Sequence, residues 1–377
     1  MKVVHLSDTH LGFAELGRVE ATTGLNQREK DVYDSFDAVI AQILSRRPGL
    51  VIHAGDLFHT VRPSNRAIVK ALTGFKQLVD AGIPTVVISG NHSTPRLASS
   101  GSIFEALELI GVKSAYRSEA VVFRFGDTAV HCIPHLPTED HLRAVLGDVR
   151  PDPAARFNVL VMHGGVRNAG ERYSLGEFNE IVVGREALAS LSGFDYIALG
   201  HYHKHLKVGA NACYCGSTER FHTKEAGYEK GFVEVDLASR EITFCPVSCR
   251  EIVQLAPINC TGLHPPQIME AISAALSSAA PLDGKIVHIT LDRITPESWV
   301  ELDQRRIREM AGAALHVGVD RCLAQSTGRR TASAAIGPLS AEFASFLRNA
   351  DLGGLSSTRL RSLGESYLSA AVEVSEA

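Results

Sequence analysis

No apolar run in the 377 residues approaches the ~20 that a membrane helix needs, so no membrane span is expected. The opening "MKVVHLSDTH" turns polar too early to be the apolar core of a secretory signal, which makes a cytoplasmic protein the expectation. A disulfide framework is also missing: seven cysteines are an odd number at irregular spacing, and fit a reducing compartment. The pairs Cys213/Cys215 and Cys245/Cys249 have the chemistry to meet around a metal but lack the two-residue gap of a zinc ribbon. Buried thiols are the plainer reading. A net charge of −4 excludes a bulk polycation, so any grip on nucleic acid has to come from a local basic patch or a partner. No aromatic-rich groove offers a platform for stacked single-stranded bases.

What is present reads as an ordinary globular chain, 45% hydrophobic and 21% charged, with room for two or three domains of about 150 residues each. Up to about residue 250, β-branched runs alternate with helical patterns, the mark of an α/β layer architecture. The runs "KVVHL", "LVIHAG", "TVVIS", "FNVLVMH" and "FDYIALG" are almost continuously apolar, as strands buried on both faces should be. Residues 27–47 carry a 3.6-residue apolar stripe (Val32, Phe36, Val39, Ile40, Ile43, Leu44) that stops before Pro48, which predicts a helix lying on a sheet.

From 251 to 325 the texture is that of a smaller α/β domain. It reads as strand "IVQLAPI", helix "PPQIMEAISAALSSAA", strand "GKIVHITL", one helix over "PESWVELDQRRIREMAGAAL" and a strand near "HVGV". The Ser/Thr/Gly/Ala-rich "QSTGRRTASAAIGP" reads as a linker. A tail over 338–377 carries two short amphipathic patterns, Leu339-Phe343-Phe346-Leu347 and Leu360-Leu363-Tyr367-Ala371.

All five apolar strands run into metal-capable residues: Asp8 and His10, Asp56 and His59, Asn91 and His92, His163, then His201 and His203. Ligands of α/β sheets gather at the carboxyl ends of strands, so these side chains should converge. In an extended segment residues i and i+2 share a side, which lets Asp8/His10 and His201/His203 each serve one centre. A single histidine is more often structural, but five sites with the same placement favour a metal centre. Carboxylate, amide and imidazole without thiolate suit Mn²⁺, Fe²⁺ or Zn²⁺. Seven ligands exceed the need of one catalytic ion and fit two ions about 3.5 to 4 Å apart sharing a carboxylate.

The segments "LSDTHLG", "GDLFHTVRPSN", "GNH", "MHGG" and "GHYHKH" resemble the motifs of the calcineurin-like metallophosphoesterases. With "YCGSTERFHTKEAGYEKGF", they are most similar to the SbcD-type DNA repair nucleases. The resemblance implies a four-layer α-β-β-α sandwich of two mixed sheets over 1–250, a small DNA-capping domain over 251–325 and a short helical tail. It implies that Asp8, His10, Asp56 and His203 hold one ion and Asp56, Asn91, His163 and His201 the other, most often Mn²⁺, with Asp56 shared. His92 matches the transition-state stabiliser and proton donor, and His59 the histidine that engages phosphate during exonucleolytic cutting. The family places Asp directly after that His, where it orients the imidazole. Ser93 stands here instead and brings no charge.

The same resemblance implies duplex DNA ends as substrate, with Arg62, Arg66, Arg96, Lys204, His205 and Arg220 as candidate phosphate contacts. It also implies an SbcC-type coiled-coil ABC ATPase as partner, in a heterotetramer built on a nuclease homodimer, and the tail as a candidate docking segment. Two alternatives stand beside the DNA nuclease. One is a phosphodiesterase or phosphatase acting on nucleotides or other small esters, and the other is a metal-stabilised scaffold that binds without cutting, for which Ser93 is the one point in favour.

Overall fold

A computed structural model describes residues 1–94, 101–167, 181–184, 186–189, 191–323, 343, 346–347 and 356–364. Lys2–Leu6 (β1), Leu50–His53 (β2), Thr85–Ile88 (β3) and Lys113–Ala115 (β4) lie side by side and parallel. The helices between them are Gln27–Arg46 (α1), Asn65–Asp80 (α2) and Phe104–Leu109 (α3). The chain then builds a second sheet from Val121–Phe125 (β5), Thr128–Ile133 (β6) and Phe157–His163 (β7). Its helix Glu139–Asp148 (α4) leads into β7, and a two-stranded ribbon, Gly165–Arg167 (β8) with Val182–Gly184 (β9), comes after it. Glu186–Ala189 (α5), Tyr196–Gly200 (β10), Leu206–Lys207 (β11) and Ala212–Tyr214 (β12) complete that half. Finally Gly231–Asp236 (β13) and Glu241–Pro246 (β14) return to the first sheet and pair antiparallel beside β1.

Two six-stranded sheets result, ordered β14-β13-β1-β2-β3-β4 and β11-β12-β10-β7-β6-β5. Antiparallel partners at their edges make both mixed. The alternation of side chains along each strand assembles the layers. Val3, Leu50, Ile52, Val86 and Ile88 meet Val130, Val159, Val161 and Ala198 in a core between the sheets. Their neighbours Val4, Leu6, Val51 and Val87 pack outward on α1 to α3, and Leu160, Met162, Ile197 and Leu199 form the core on the α4 side. Helix, sheet, sheet and helix are thus stacked as expected.

Helix α1 shows how local signals agree with this packing. Asn26 caps it by accepting from the Arg28 and Glu29 N–H groups, and Val32, Phe36, Val39, Ile40 and Ile43 are its buried stripe. The end is set by Arg47 in the left-handed region, whose N–H reaches the Ile43 carbonyl.

A third sheet with its own core follows. Ile252–Gln254 (β15), Ile258–Asn259 (β16) and His316–Leu323 (β18) all pair parallel with the central Ile286–Ile294 (β17). Pro265–Ser278 (α6), Pro296–Glu301 (α7) and Gln304–Met310 (α8) supply the helical residues of that core, with Ile268, Ile272 and Ile307 packed on Val287, Ile289 and Leu291. Two expectations are corrected here. The single strand "IVQLAPI" is two short strands, interrupted at 255–257, and the single helix over 296–315 is broken at Leu302. The break arises because Asp303 turns its carboxylate onto the Arg305 and Arg306 N–H groups and so caps a new helix. The expected linker lies outside the described residues, as does most of the tail, of which Leu347 is buried while Phe346 and Leu363 are exposed.

The third sheet is tied to the first half of the chain by a buried charge network. Arg250 Nε donates to Asp31 Oδ2 at 2.5 Å and its Nη1 to the Gly284 carbonyl, while Arg28 Nη1 meets Asp31 at 2.7 Å. Burial alone would raise the Asp31 carboxyl, but its bonds to Arg250 and Gln27 and the charges of Arg250 and Arg28 hold it below its usual value. A depressed folded-state value means the contribution is complete above the unfolded carboxylate value of about 3.9 and is lost as pH falls through the folded one. Asp31→Ala is therefore expected to cost about 3 kcal/mol at pH 7, because it removes the carboxylate that Arg250 and Arg28 share while Arg28 keeps Glu219 at 3.6 Å, and less at pH 3. Denaturant midpoints at the two pH values check this.

Candidate metal centre

The carboxyl ends of β1, β2, β3, β7 and β10 bring their polar residues to one place. Asp8, His10 and His203 present ligand atoms within 4.8 Å of one another, as do Asp8, Asp56 and His163. Asn91 joins through its Oδ1, 2.9 Å from His163 Nε2, and the His201 ring lies 5.4 Å from that of His163. All seven candidate ligands are buried. Asp8 is common to these two groups, and His10 also belongs to a third, with His59 and His92. Asp56, the carboxylate expected to be shared, sends Oδ1 to the His92 N–H at 3.0 Å and Oδ2 toward His163 Nε2 at 3.2 Å.

The route to this convergence differs from the expected one. Asp8, His10, Asp56 and His201 have φ values of 52°, 44°, 49° and 109°, so they sit in left-handed turns beyond the strand ends and not in extended segments. Such conformations cost of order 1–3 kcal/mol each and persist where the surroundings enforce them, as they do at functional sites. Here the Asp8 and His10 N–H groups are bonded to the carbonyls of Gly55 and Asp56 at 3.0 Å. Close backbone approach also demands glycine: a Cβ on Gly90 would lie 2.2 Å from Asp56 Oδ1.

Imidazole tautomers are fixed by what the second ring nitrogen touches. His163 Nδ1 donates to the Ala54 carbonyl at 2.8 Å, and His203 Nδ1 faces the Glu225 carboxylate at 2.9 Å. Each ring thereby turns Nε2 into the centre, where His203 Nε2 is 3.1 Å from His10 Nε2. Two converging ring nitrogens require a proton or a cation between them. Burial lifts the Asp8 carboxyl above its usual range. For Asp56 the same burial effect is outweighed by His163, His10 and His92, which hold it well below that range. Burial lowers His163, yet the Asp56 charge dominates and raises it to about 9. Among the described residues neither carboxylate meets a Lys or Arg side chain, so the buried negative charge and the nitrogen and oxygen donors together fit divalent cations.

His92 borders the centre, its ring edge-on to His10 at 4.9 Å and stacked on His59 at 5.4 Å. Its Nδ1 donates to the His59 carbonyl at 3.0 Å. Ser93 is buried and its Oγ accepts from the Gly90 N–H at 3.3 Å, so it braces the turn.

The expected phosphate contacts are dispersed. Arg62 and Arg66 are exposed, and the Lys204 ammonium sits 4.9 Å over the Tyr228 ring. His205 is turned inward, bonded to the Tyr214 carbonyl at 3.0 Å and stacked on Phe244. Arg220 serves as a structural crosslink, with Nη1 on the Arg250 carbonyl at 2.8 Å and Nη2 on the Tyr228 carbonyl at 2.7 Å. Backbone carbonyls engage both side chains in part-buried bonds. Arg96 lies outside the described residues. The cysteine pairs do not meet either: Cys213 and Cys215 lie between the sheets, whereas Cys245 is on the outer face and Cys249 accepts from Arg220.

Three further residues belong to the centre, with little in the sequence to mark them. His135 follows β6 as the other histidines follow their strands, but Pro134 interrupts the pattern. It is buried, its pKa lowered to about 4 by desolvation and the neighbouring His163, and its N–H bonds the Ser89 carbonyl at 2.9 Å. Glu225 and Lys230 stand far from the ligands in sequence and reach them only through the fold.

Comparison with known proteins agrees with this geometry. The chain is 29% identical over 274 residues to the DNA double-strand break repair protein Mre11 of Methanocaldococcus jannaschii, covering 68% of this chain and 69% of that protein. For the protein of the same name from Saccharolobus solfataricus the values are 30% over 245 residues, 61% and 58%. For that of Sulfolobus acidocaldarius they are 28% over 313 residues, 78% and 76%. No helix among the described residues is long and apolar enough to cross a membrane. The model of the calcineurin-like phosphoesterases matches residues 1–205, the stretch that supplies all seven candidate ligands and His92, and the chain therefore belongs to that family of metal-dependent phosphoesterases.

Proposed function

We propose that this chain is a two-metal-ion DNA nuclease, cutting phosphodiester bonds at duplex ends in the 3′-to-5′ direction and, in a second mode, endonucleolytically. The observation that carries the reading is the pair of ligand groups around Asp8, Asp56, His10, His163 and His203 with His92 beside them. Similarity to the archaeal repair proteins favours DNA over small esters. Mn²⁺ is the proposed metal, with Fe²⁺ or Zn²⁺ compatible with the same donors.

In this reading Asp8, His10, Asp56 and His203 would hold one ion, and Asp56, Asn91, His163 and His201 the other. Burial holds the pKa of His10 well below its usual value against the opposing charge of Asp56, whereas at His163 the Asp56 charge prevails over burial, so Asp56 acts on a ring in each half. Divalent ions bound there would supply an activated water and charge to neutralise the phosphate oxygens. The protein's own part is positioning and proton delivery. With Nδ1 anchored on the His59 carbonyl, His92 presents Nε2 to the leaving 3′-oxygen and hands it a proton. Exposed Arg62 and Arg66 provide salt-sensitive backbone contacts. An SbcC-type coiled-coil ATPase is the proposed partner of a homodimer of this chain, with the tail as its docking segment.

Ser93 places no carboxylate directly after His92, whose Nδ1 donates to the His59 carbonyl while Ser93 Oγ accepts from the Gly90 N–H. Ser93→Asp is expected to raise turnover several-fold while metal occupancy stays the same. Equal or lower turnover at full occupancy would show that the contacts His92 already makes suffice. The functional reading is tested by comparing hydrolysis of linear duplex DNA with that of cyclic nucleotides, where a clear preference for the cyclic ester would replace the nuclease reading.

A further inference from the structure

Behind His203 lies a closed ring of charged contacts that the reaction itself does not use. The Lys230 ammonium donates to the His203 carbonyl at 2.8 Å, to Ser217 Oγ at 2.8 Å and to Glu225 Oε2. The other oxygen of Glu225 takes His203 Nδ1 at 2.9 Å. All three donors of the ammonium are thereby engaged, and both the main chain and the ring of His203 are clamped. Lys230 is 1% exposed and Glu225 5%. Burying such a pair costs several kcal/mol per ion before any return, so stability alone is a weak reason for it.

The other half of the centre is built differently. His163 is backed by the Ala54 carbonyl, a neutral acceptor. A carboxylate behind an imidazole makes its outward nitrogen a stronger donor to a cation than a carbonyl does, and it fixes the ring more firmly. Lys230 balances the far oxygen of Glu225 and so permits a full carboxylate to be buried there.

We propose that Glu225 and Lys230 are positioning residues that make the His10–His203 half of the centre bind its divalent ion more tightly than the Asn91–His163 half. The two halves would then fill in order, the His203 side first. This rests on the two-metal reading above, and the test separates the two claims.

Metal-free full-length protein is titrated with Mn²⁺ alone, and free Mn²⁺ is followed by electron paramagnetic resonance. Wild type is expected to show two classes of site. Glu225→Gln keeps the shape and an acceptor for His203 Nδ1 but removes the charge, and is expected to weaken the tighter class about 10- to 100-fold and leave the weaker one unchanged. Lys230→Met should do the same to a lesser degree. Two wild-type-like classes in a folded Glu225→Gln protein would reduce the ring to a structural clamp and overturn the proposal. Fewer than two ions bound by wild type would instead defeat the two-metal reading itself. A second measurement needs no variant: in histidine-labelled wild type, sub-stoichiometric Zn²⁺, a diamagnetic ion, should shift the His10 and His203 resonances before those of His163 and His201. The reverse order, or simultaneous shifts, contradicts the proposal.

Discussion

Asp56→Asn is expected to lower metal-dependent phosphodiester hydrolysis by about 10³-fold, the equivalent of about 4 kcal/mol of transition-state stabilisation. The size of the effect follows from two roles carried by one buried side chain. Oδ2 faces His163 and belongs to a ligand group, while Oδ1 accepts from the His92 N–H and so fixes the turn that carries the proposed proton donor. An amide retains the volume but not the charge that balances a cation, and it places a donor where one of these contacts needs an acceptor. The loss should also be visible without substrate. A ligand at 100 times its dissociation constant stabilises the folded state by about 2.7 kcal/mol, and most of the Mn²⁺-induced rise in melting temperature should disappear in the variant. A variant that is still stabilised by Mn²⁺ and still active would remove Asp56 from the centre.

His92→Asn should give a different signature. General acid help from a positioned imidazole contributes about 10²- to 10⁴-fold, so turnover falls within that range while Mn²⁺ affinity and the thermal shift remain. Metal affinity is expected to be spared because His92 is not among the seven proposed ligands, although its ring comes within ligand distance of His10 and His59. The loss should be smaller on a substrate whose leaving group is a good one, such as a nitrophenyl ester, since a stable leaving anion needs no proton. Equal losses on the DNA and nitrophenyl substrates would assign His92 to phosphate binding and not to proton delivery.

These expectations rest on features of unequal visibility in the sequence. The strands β1, β2, β3, β7 and β10 were legible because sheets covered on both faces leave a plain signal, a short continuous apolar run with polar punctuation at its end. That punctuation located Asp8, Asp56, Asn91, His163 and His201 together. How Asp8 and His10 turn was not legible, since left-handed conformations of non-glycine residues are imposed by tertiary bonds such as those to the Gly55 and Asp56 carbonyls. The helix break at Leu302 was hidden for a local reason: apolar periodicity continues across it, and Asp303 reads equally well as a surface residue or as a cap. Roles set by long-range partners were the least visible. Arg220 and His205 look like phosphate contacts in a list of basic residues, and only the fold shows the carbonyls that occupy them. Glu225, 22 positions from His203, becomes its neighbour only once Lys230 folds over both.

The buried carboxylate and imidazole cluster is proposed to hydrolyse DNA by means of bound divalent ions. The most direct measurement is nucleotide release from linear duplex DNA by chelator-treated protein, before and after Mn²⁺ is restored, with Asp56→Asn run alongside. Release that depends on Mn²⁺ in the wild type and is absent in the variant is the predicted result. Indistinguishable release from wild type and variant, or none from Mn²⁺-loaded wild type, would contradict the account.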